Sequence, residues 1–210
     1  MEEHKVLLDK DLFNKIEMSM LDSFYNIDQF PYLKEIENKF LQIHAEWKSV
    51  TNTAVPDLFQ TWSQAHLNSK KDSWQILAIT EQSKTADTNT HKTTGTLINY
   101  AKLFPITLDI LNTALGDRLD NARFSKLSTQ SKILPHQGRF SNTLRCHLGI
   151  DIPLGNCKIK VGNVEQGWEN GKLLILDDRL VHEAWNLTEY DRTVLAFDFI
   201  PDEIQNFFPY

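Results

Sequence analysis

Cysteine is nearly missing: Cys146 and Cys157 are the only two in 210 residues, and neither belongs to a CxxC pair. A disulfide framework is thereby excluded, and the thiolates that structural zinc takes are too few. Long apolar runs are missing too, so no membrane span is expected. The opening Met1-Glu2-Glu3-His4-Lys5 is acidic and lacks the basic-then-apolar pattern of a secretion signal. Basic charge is in deficit. Lys and Arg number 22 against 28 Asp and Glu, a net charge of −6, whereas a nucleic-acid or anionic-membrane surface needs concentrated Lys and Arg. There is no internal repeat and no low-complexity linker. The expectation is a soluble, cytoplasmic protein.

What is present suits one sizeable core. Hydrophobic residues make up 41% and charged residues 24%, the balance of a globular domain, and the length favours a single domain over 1–210. The part up to about residue 115 reads as helical. Leu12, Ile16, Met20 and Phe24 recur at four-residue steps, with Phe13 beside them. Pro31 suits the opening turn of a second helix whose stripe is Leu33, Ile36, Phe40 and Ile43, running to Trp47. Pro56 opens a third, with Leu58, Phe59 and Trp62 facing inward. Residues 74–79 read as a strand, and 106–115 as a short helix. Between them, 81–96 is polar and rich in Thr, so a long loop is expected, either a lid over the substrate or a plain connector.

From about 118 to 200 the texture changes. Short β-type runs alternate with Gly, Pro, Asn and Asp at 121–127, 130–136, 142–150, 157–162, 164–167, 173–176, 181–186 and 193–199. Such spacing predicts a double-sheet barrel or sandwich with the helices on one outer face.

Three histidines and two arginines crowd this region. His136 follows Leu134-Pro135, His147 follows Arg145-Cys146, and His182 follows Asp177-Asp178-Arg179-Leu180-Val181, with Arg192 one strand later. Strand parity sends Leu144, Cys146, Leu148 and Ile150 to one face and Arg145, His147 and Gly149 to the other; taken alone, that second face reads as solvent-facing. His136 and His182 are spaced to meet across neighbouring strands. Imidazole suits ferrous iron, whose usual protein set is two histidines and a carboxylate. The place for the carboxylate, two residues after His136, is Gly138. Either iron is held by two side chains, or the site binds none. Arg192 could grip a carboxylate from deeper in the barrel; a surface ion pair with Glu189 or Asp191 is the alternative.

The segments Cys157-Lys158-Ile159-Lys160-Val161-Gly162-Asn163, Trp168-Glu169-Asn170-Gly171-Lys172, Asp177-Asp178, His182-Glu183-Ala184-Trp185-Asn186 and Asp191-Arg192-Thr193-Val194-Leu195 follow one another in an order that resembles the aspartyl/asparaginyl β-hydroxylase family of 2-oxoglutarate-dependent dioxygenases. The resemblance is strongest over 119–200 and reaches back weakly through Phe104-Pro105 to Phe30-Pro31-Tyr32-Leu33. It implies a mainly β fold, a double-stranded β-helix (jelly roll, cupin-like) with helices packed outside. It implies iron bound by two histidines without the carboxylate, so Gly138 fits the family's pattern. By matching, His136 and His182 are the implied metal ligands, and Arg192 the grip on the distal carboxylate of 2-oxoglutarate. Ser125, Arg145 and His147 are implied to line the co-substrate pocket. The implied cofactors are Fe(II), 2-oxoglutarate and O2. The implied activity is hydroxylation of an unactivated carbon with release of succinate and CO2, the carbon being the β-carbon of Asp, Asn or a related amino acid. Larger relatives carry helical repeats that present protein substrates. None occurs here, so the expected partner is a free, peptidyl or carrier-bound amino acid. An acyl-chain hydroxylase and a non-catalytic jelly-roll binder are the alternatives. Trp168 and Trp185 could shield the pocket or simply fill core. Asp177 and Asp178 could orient a ligand histidine or make a turn.

Overall fold

The computed structural model describes residues 21–53, 58–62, 64–80, 100–138 and 142–202. Among these, eleven strands form two antiparallel sheets. They are β1 (Phe24–Tyr25), β2 (Gln60–Thr61), β3 (Trp74–Ala78), β4 (Leu119–Leu127), β5 (Ser131–His136), β6 (Leu144–Asp151), β7 (Cys157–Val161), β8 (Val164–Gly167), β9 (Leu173–Leu176), β10 (His182–Asn186) and β11 (Arg192–Phe199). The major sheet has seven strands in the order β1-β9-β6-β11-β4-β3-β2, and the minor sheet has four in the order β5-β10-β7-β8. This double-sheet jelly roll is the fold expected from the strand spacing. Every one of the eight strand runs expected beyond residue 118 is a strand.

The helices are α1 (Lys34–Asn38), α2 (Phe40–Thr51) and α3 (Pro105–Leu115), with a 3-10 turn at Pro31–Leu33 that starts on the proline. They cover the outer face of the major sheet. Their apolar stripe, Leu33, Ile36, Ile43, Trp47, Leu111 and Leu115, packs on Phe124, Leu144, Leu148, Leu195 and Phe197. The Trp47 and Phe124 rings stack with centroids 4.5 Å apart. Two carboxylates pin the layers together. Glu46 of α2 accepts from the backbone N–H of Ile106 and Thr107 and from the Thr107 hydroxyl, capping α3. Asp151, at the end of β6, accepts from Trp47 Nε1 at 2.8 Å and Lys48 Nζ at 2.9 Å, and stands 3.2 Å from His44 Nε2.

Two helical expectations fail over their described residues. Phe24 ends no helix: with Tyr25 it pairs with Ile175 and Leu176 and extends the sheet edge. Leu12, Phe13, Ile16 and Met20 lie outside the described residues. The third helix fails as well, since Gln60 and Thr61 pair with Ile76 and Gln75 as a strand. Leu58, Phe59 and Trp62 do turn inward. Three apolar residues so close together fit an amphipathic helix and a short edge segment equally well, and tertiary pairing decided between them. Pro56 and the 81–96 loop lie outside the described residues.

Candidate functional site

The site lies between the sheets and is built by strand parity. Along β11, Leu195, Phe197 and Phe199 enter the helix-side core, so Arg192, Val194, Ala196 and Asp198 face the minor sheet. Along β6, Leu144, Cys146, Leu148 and Ile150 go to the helices. Arg145 and His147 therefore face the barrel interior, and the solvent-facing reading of that strand is wrong. Ser125 on β4 is the register partner of Val194 and shares this face.

The minor sheet supplies the imidazoles. His182 on β10 pairs with His136 on β5, yet two positions on, Ala184 pairs with Ile133, so the register shifts between them. One extra residue sits on β5 at Leu134-Pro135. A bulge is where a strand tolerates proline, which has no N–H to donate, and it reverses the inward–outward parity beyond it. Ile133 and His136 can then both face inward. The result is two imidazole rings with centroids 4.2 Å apart. His136 Nδ1 donates to the Leu134 carbonyl at 2.8 Å and His182 Nδ1 to the Leu180 carbonyl at 2.9 Å. Each ring therefore keeps its Nε2 lone pair for a ligand. Burial pulls both pKa values down, that of His182 to about 3, so the rings are neutral, as metal ligation requires.

No acid completes a metal-binding group with this pair among the described residues. Gly138 cannot carry one. A Cβ placed there would run into the Asp178 carboxylate, and the Gly138 N–H donates to the Asp178 carbonyl at 2.6 Å. The carboxyl of Asp178 thus fills the room that a side chain at position 138 would take. Arg145 holds it, with NH1 2.7 Å from Asp178, while Nε and NH2 grip Asp198 at 2.7 and 2.8 Å. Burial alone would raise Asp198, but Arg145 overrides it and holds the carboxyl well below its ordinary value; Asp178, with a single arginine contact, is instead pushed up by burial. Asp177 closes the turn instead, accepting from the backbone and guanidinium of Arg179.

Arg192 is the anomaly. It is 1% exposed and no acid pairs with it among the described residues. Its NH1 donates to the Ser125 carbonyl at 3.3 Å, its Nε has no hydrogen-bond partner, and its guanidinium carbon lies 4.5 Å over the Trp168 ring. Burial pulls its pKa down to about 10, so it is still a cation at neutral pH. The surface ion pair with Glu189 or Asp191 does not form. Ser125 receives Trp74 Nε1 on its Oγ at 3.1 Å, and the Trp74 ring stands 5.7 Å from that of His136. His147 accepts from Trp168 Nε1 at 3.3 Å, and burial, aided by Arg192 and Arg145, drives its pKa well down.

All six residues singled out beforehand (Ser125, His136, Arg145, His147, His182 and Arg192) therefore meet in one interior. Reasoning from motifs missed Asp198 and Trp74. Asp198 had a signal: it falls on the parity of Arg192. Trp74 had none, because its strand lies outside the histidine region. Trp168 faces the site, whereas Trp185 is half-exposed and bonded to Asn156.

Residues 37–201 match the family described as Aspartyl/Asparaginyl beta-hydroxylase. This chain belongs to that family. An ornithine lipid ester-linked acyl 2-hydroxylase of Rhizobium tropici is 32% identical over 185 residues, 84% of this chain and 59% of the relative. An aspartate beta-hydroxylase domain-containing protein 2 of Xenopus tropicalis is 29% identical over 196 residues, 88% of this chain and 49% of the relative. The family domain here thus spans only about half to three fifths of those relatives. A solved oxidoreductase of the 2OG-Fe(II) oxygenase family from Burkholderia pseudomallei superposes with a TM-score of 0.53 at 13% identity, covering 83% of this chain and 91% of that one. That likeness shows the jelly-roll fold.

Proposed function

We propose that this family member is an Fe(II)- and 2-oxoglutarate-dependent hydroxylase. The observation that carries the reading is Arg192: a guanidinium buried, charged and without a carboxylate among the described residues, between the same sheets as two neutral imidazoles. An uncompensated buried charge costs on the order of several kcal/mol. A dicarboxylate that reaches from the histidines to Arg192 removes that cost. The residues fit the cofactors: His136 and His182 would hold iron through Nε2, Arg192 and Ser125 the far carboxylate of 2-oxoglutarate, and His147 its near end. Bound together with dioxygen, these cofactors supply an oxidant that replaces a C–H with C–OH, releasing succinate and CO2.

The chain's own part is placement. Asp178, held by Arg145, takes the room of a side chain at position 138, and the histidine pair has no third protein ligand among the described residues. Trp74 packs near His136, and Trp168 against His147 and Arg192, so the two indoles wall part of the interior. The ionic group of Asp178, Arg145, Asp198, Asn121 and Arg123 lies next to the histidines. Such a lining favours a polar group beside the reacting carbon.

The leading substrate is an Asp or Asn side chain, or a related amino acid, hydroxylated at the β-carbon. The Rhizobium tropici relative supports a second reading, hydroxylation at C2 of an ester-linked acyl chain. The two share one chemistry. The β-carbon of Asp or Asn and C2 of an acyl ester are both methylenes next to a carbonyl. A retained His136, His182 and Arg192 count against a non-catalytic binder. The test is succinate release and a gain of one oxygen by mass spectrometry, with aspartyl peptides, free amino acids and acyl esters offered in parallel. Iron-dependent succinate formation with one of them is the expected result. None, with any substrate class and with iron and 2-oxoglutarate in excess, would remove the proposal.

A further inference from the structure

Hydrogen bonds sort the three interior imidazoles into two kinds. At His136 and His182, Nδ1 faces a backbone carbonyl and must carry the hydrogen, so Nε2 offers a lone pair. At His147 the order is reversed. The indole N–H of Trp168 can only donate, and it meets His147 Nδ1 at 3.3 Å, which makes that nitrogen the acceptor and puts the hydrogen on Nε2. A lone pair suits a cation, whereas an N–H suits an anion or a keto oxygen. The same indole lies 4.5 Å beneath the Arg192 guanidinium carbon, and it is itself 6% exposed in the inter-sheet cluster. One side chain therefore touches both cationic-end and hydrogen-donating groups of the co-substrate pocket.

We propose that Trp168 is a positioning residue for 2-oxoglutarate: its N–H keeps His147 in the donor tautomer and its ring face seats Arg192. The proposal rests on the co-substrate reading of those two residues. Plain core packing is the competing explanation, and it predicts no dependence on the indole N–H. Trp168→Phe keeps an aromatic face under Arg192 and removes only that hydrogen bond.

Two readouts test it without turnover. In metal-free protein labelled with 15N-histidine, long-range 1H–15N spectra report which ring nitrogen carries the hydrogen. The expected pattern is Nε2–H for His147 and Nδ1–H for His136 and His182, with His147 alone moving toward a mixture in Trp168→Phe. Calorimetry of 2-oxoglutarate on Mn(II)-loaded protein should then show Trp168→Phe weakening binding by about tenfold, the scale of one lost hydrogen bond to a charged group. In a His147→Ala background the same substitution should cost nothing further. A wild-type His147 protonated on Nδ1 overturns the proposal even if the variant does not fold. So does an equal loss from Trp168→Phe with and without His147. No binding of 2-oxoglutarate by the wild type, with the tautomer pattern as expected, overturns the co-substrate reading and the positioning role with it. Normal binding with an unmoved His147 in Trp168→Phe overturns the positioning role alone.

Discussion

The two faces of the major sheet carry opposite chemistry on the same strands. Toward the helices, β4, β6 and β11 present Phe124, Leu144, Cys146, Leu148, Leu195, Phe197 and Phe199, each 0% exposed. Toward the minor sheet the same strands present Ser125, Arg145, His147, Arg192 and Asp198. Ser125, Arg192 and Asp198 are buried as the outer face is, and Arg145 and His147 are partly buried, so burial alone does not tell core from site. The difference lies in satisfaction. Hydrocarbon needs only close packing, whereas each charge on the inner face needs a partner, and Arg192 has none among the described residues. The outer face holds the fold together. The inner face stores an unmet electrostatic demand, which the proposed co-substrate would answer.

Substitutions on the two faces should separate stability from activity. The largest effect is expected from His182→Ala: succinate formation should vanish and metal affinity collapse, while thermal unfolding of the metal-free protein stays where it was. Unchanged succinate production would break the site. On the outer face, Phe197→Ala opens a cavity in packed hydrocarbon and should cost about 3–5 kcal/mol of unfolding free energy, read by denaturant titration, with turnover per folded molecule kept. Arg192→Met should weaken 2-oxoglutarate binding by about 2–5 kcal/mol, the cost of removing one partner of a desolvated ion pair. The same change should leave the ligand-free protein as stable as before or more so, because an unpaired buried charge is gone. A fall in unfolding temperature without ligand would place Arg192 with the structural face.

The smallest effect is a pH dependence where the faces meet the helices. Burial pushes Asp151 up, but hydrogen bonds from Lys48, Trp47 and His44 prevail and hold its pKa below the ordinary 3.8. A group depressed in the folded state adds stability above its unfolded pKa and loses it as pH falls through the folded one. Unfolding temperature should therefore fall as pH drops below about 4, from this group among others. Asp151→Asn should flatten part of that slope. An identical slope in the variant would show that Asp151 does not tie α2 to β6.

Sequence reasoning reached the inner face because parity is a local property. Arg145 and His147 on one side of β6, and Leu144, Cys146 and Leu148 on the other, can be read from alternation alone. Which side held the interior could not be, since that depends on where the second sheet lies. Alternation also fails at Leu134-Pro135, where one extra residue turns His136 inward, and a bulge leaves no trace in composition beyond its proline. The match to a family supplied the pairing of His136 with His182; spacing only allowed it. The helical expectations that failed, at Phe24 and at 58–62, concern short apolar segments whose form is set by the strands they pair with. The clamp of Arg145 between Asp178 and Asp198 was also out of reach, because it joins two strands and a turn through side chains far apart in sequence.

The most direct test of the account is a crystal soaked anaerobically with Mn(II) and 2-oxoglutarate. An anomalous peak bonded to Nε2 of both His136 and His182, with the far carboxylate of the co-substrate on Arg192, is the result the account predicts. A metal bound elsewhere, or a co-substrate that leaves the Arg192 guanidinium unpaired, would contradict it.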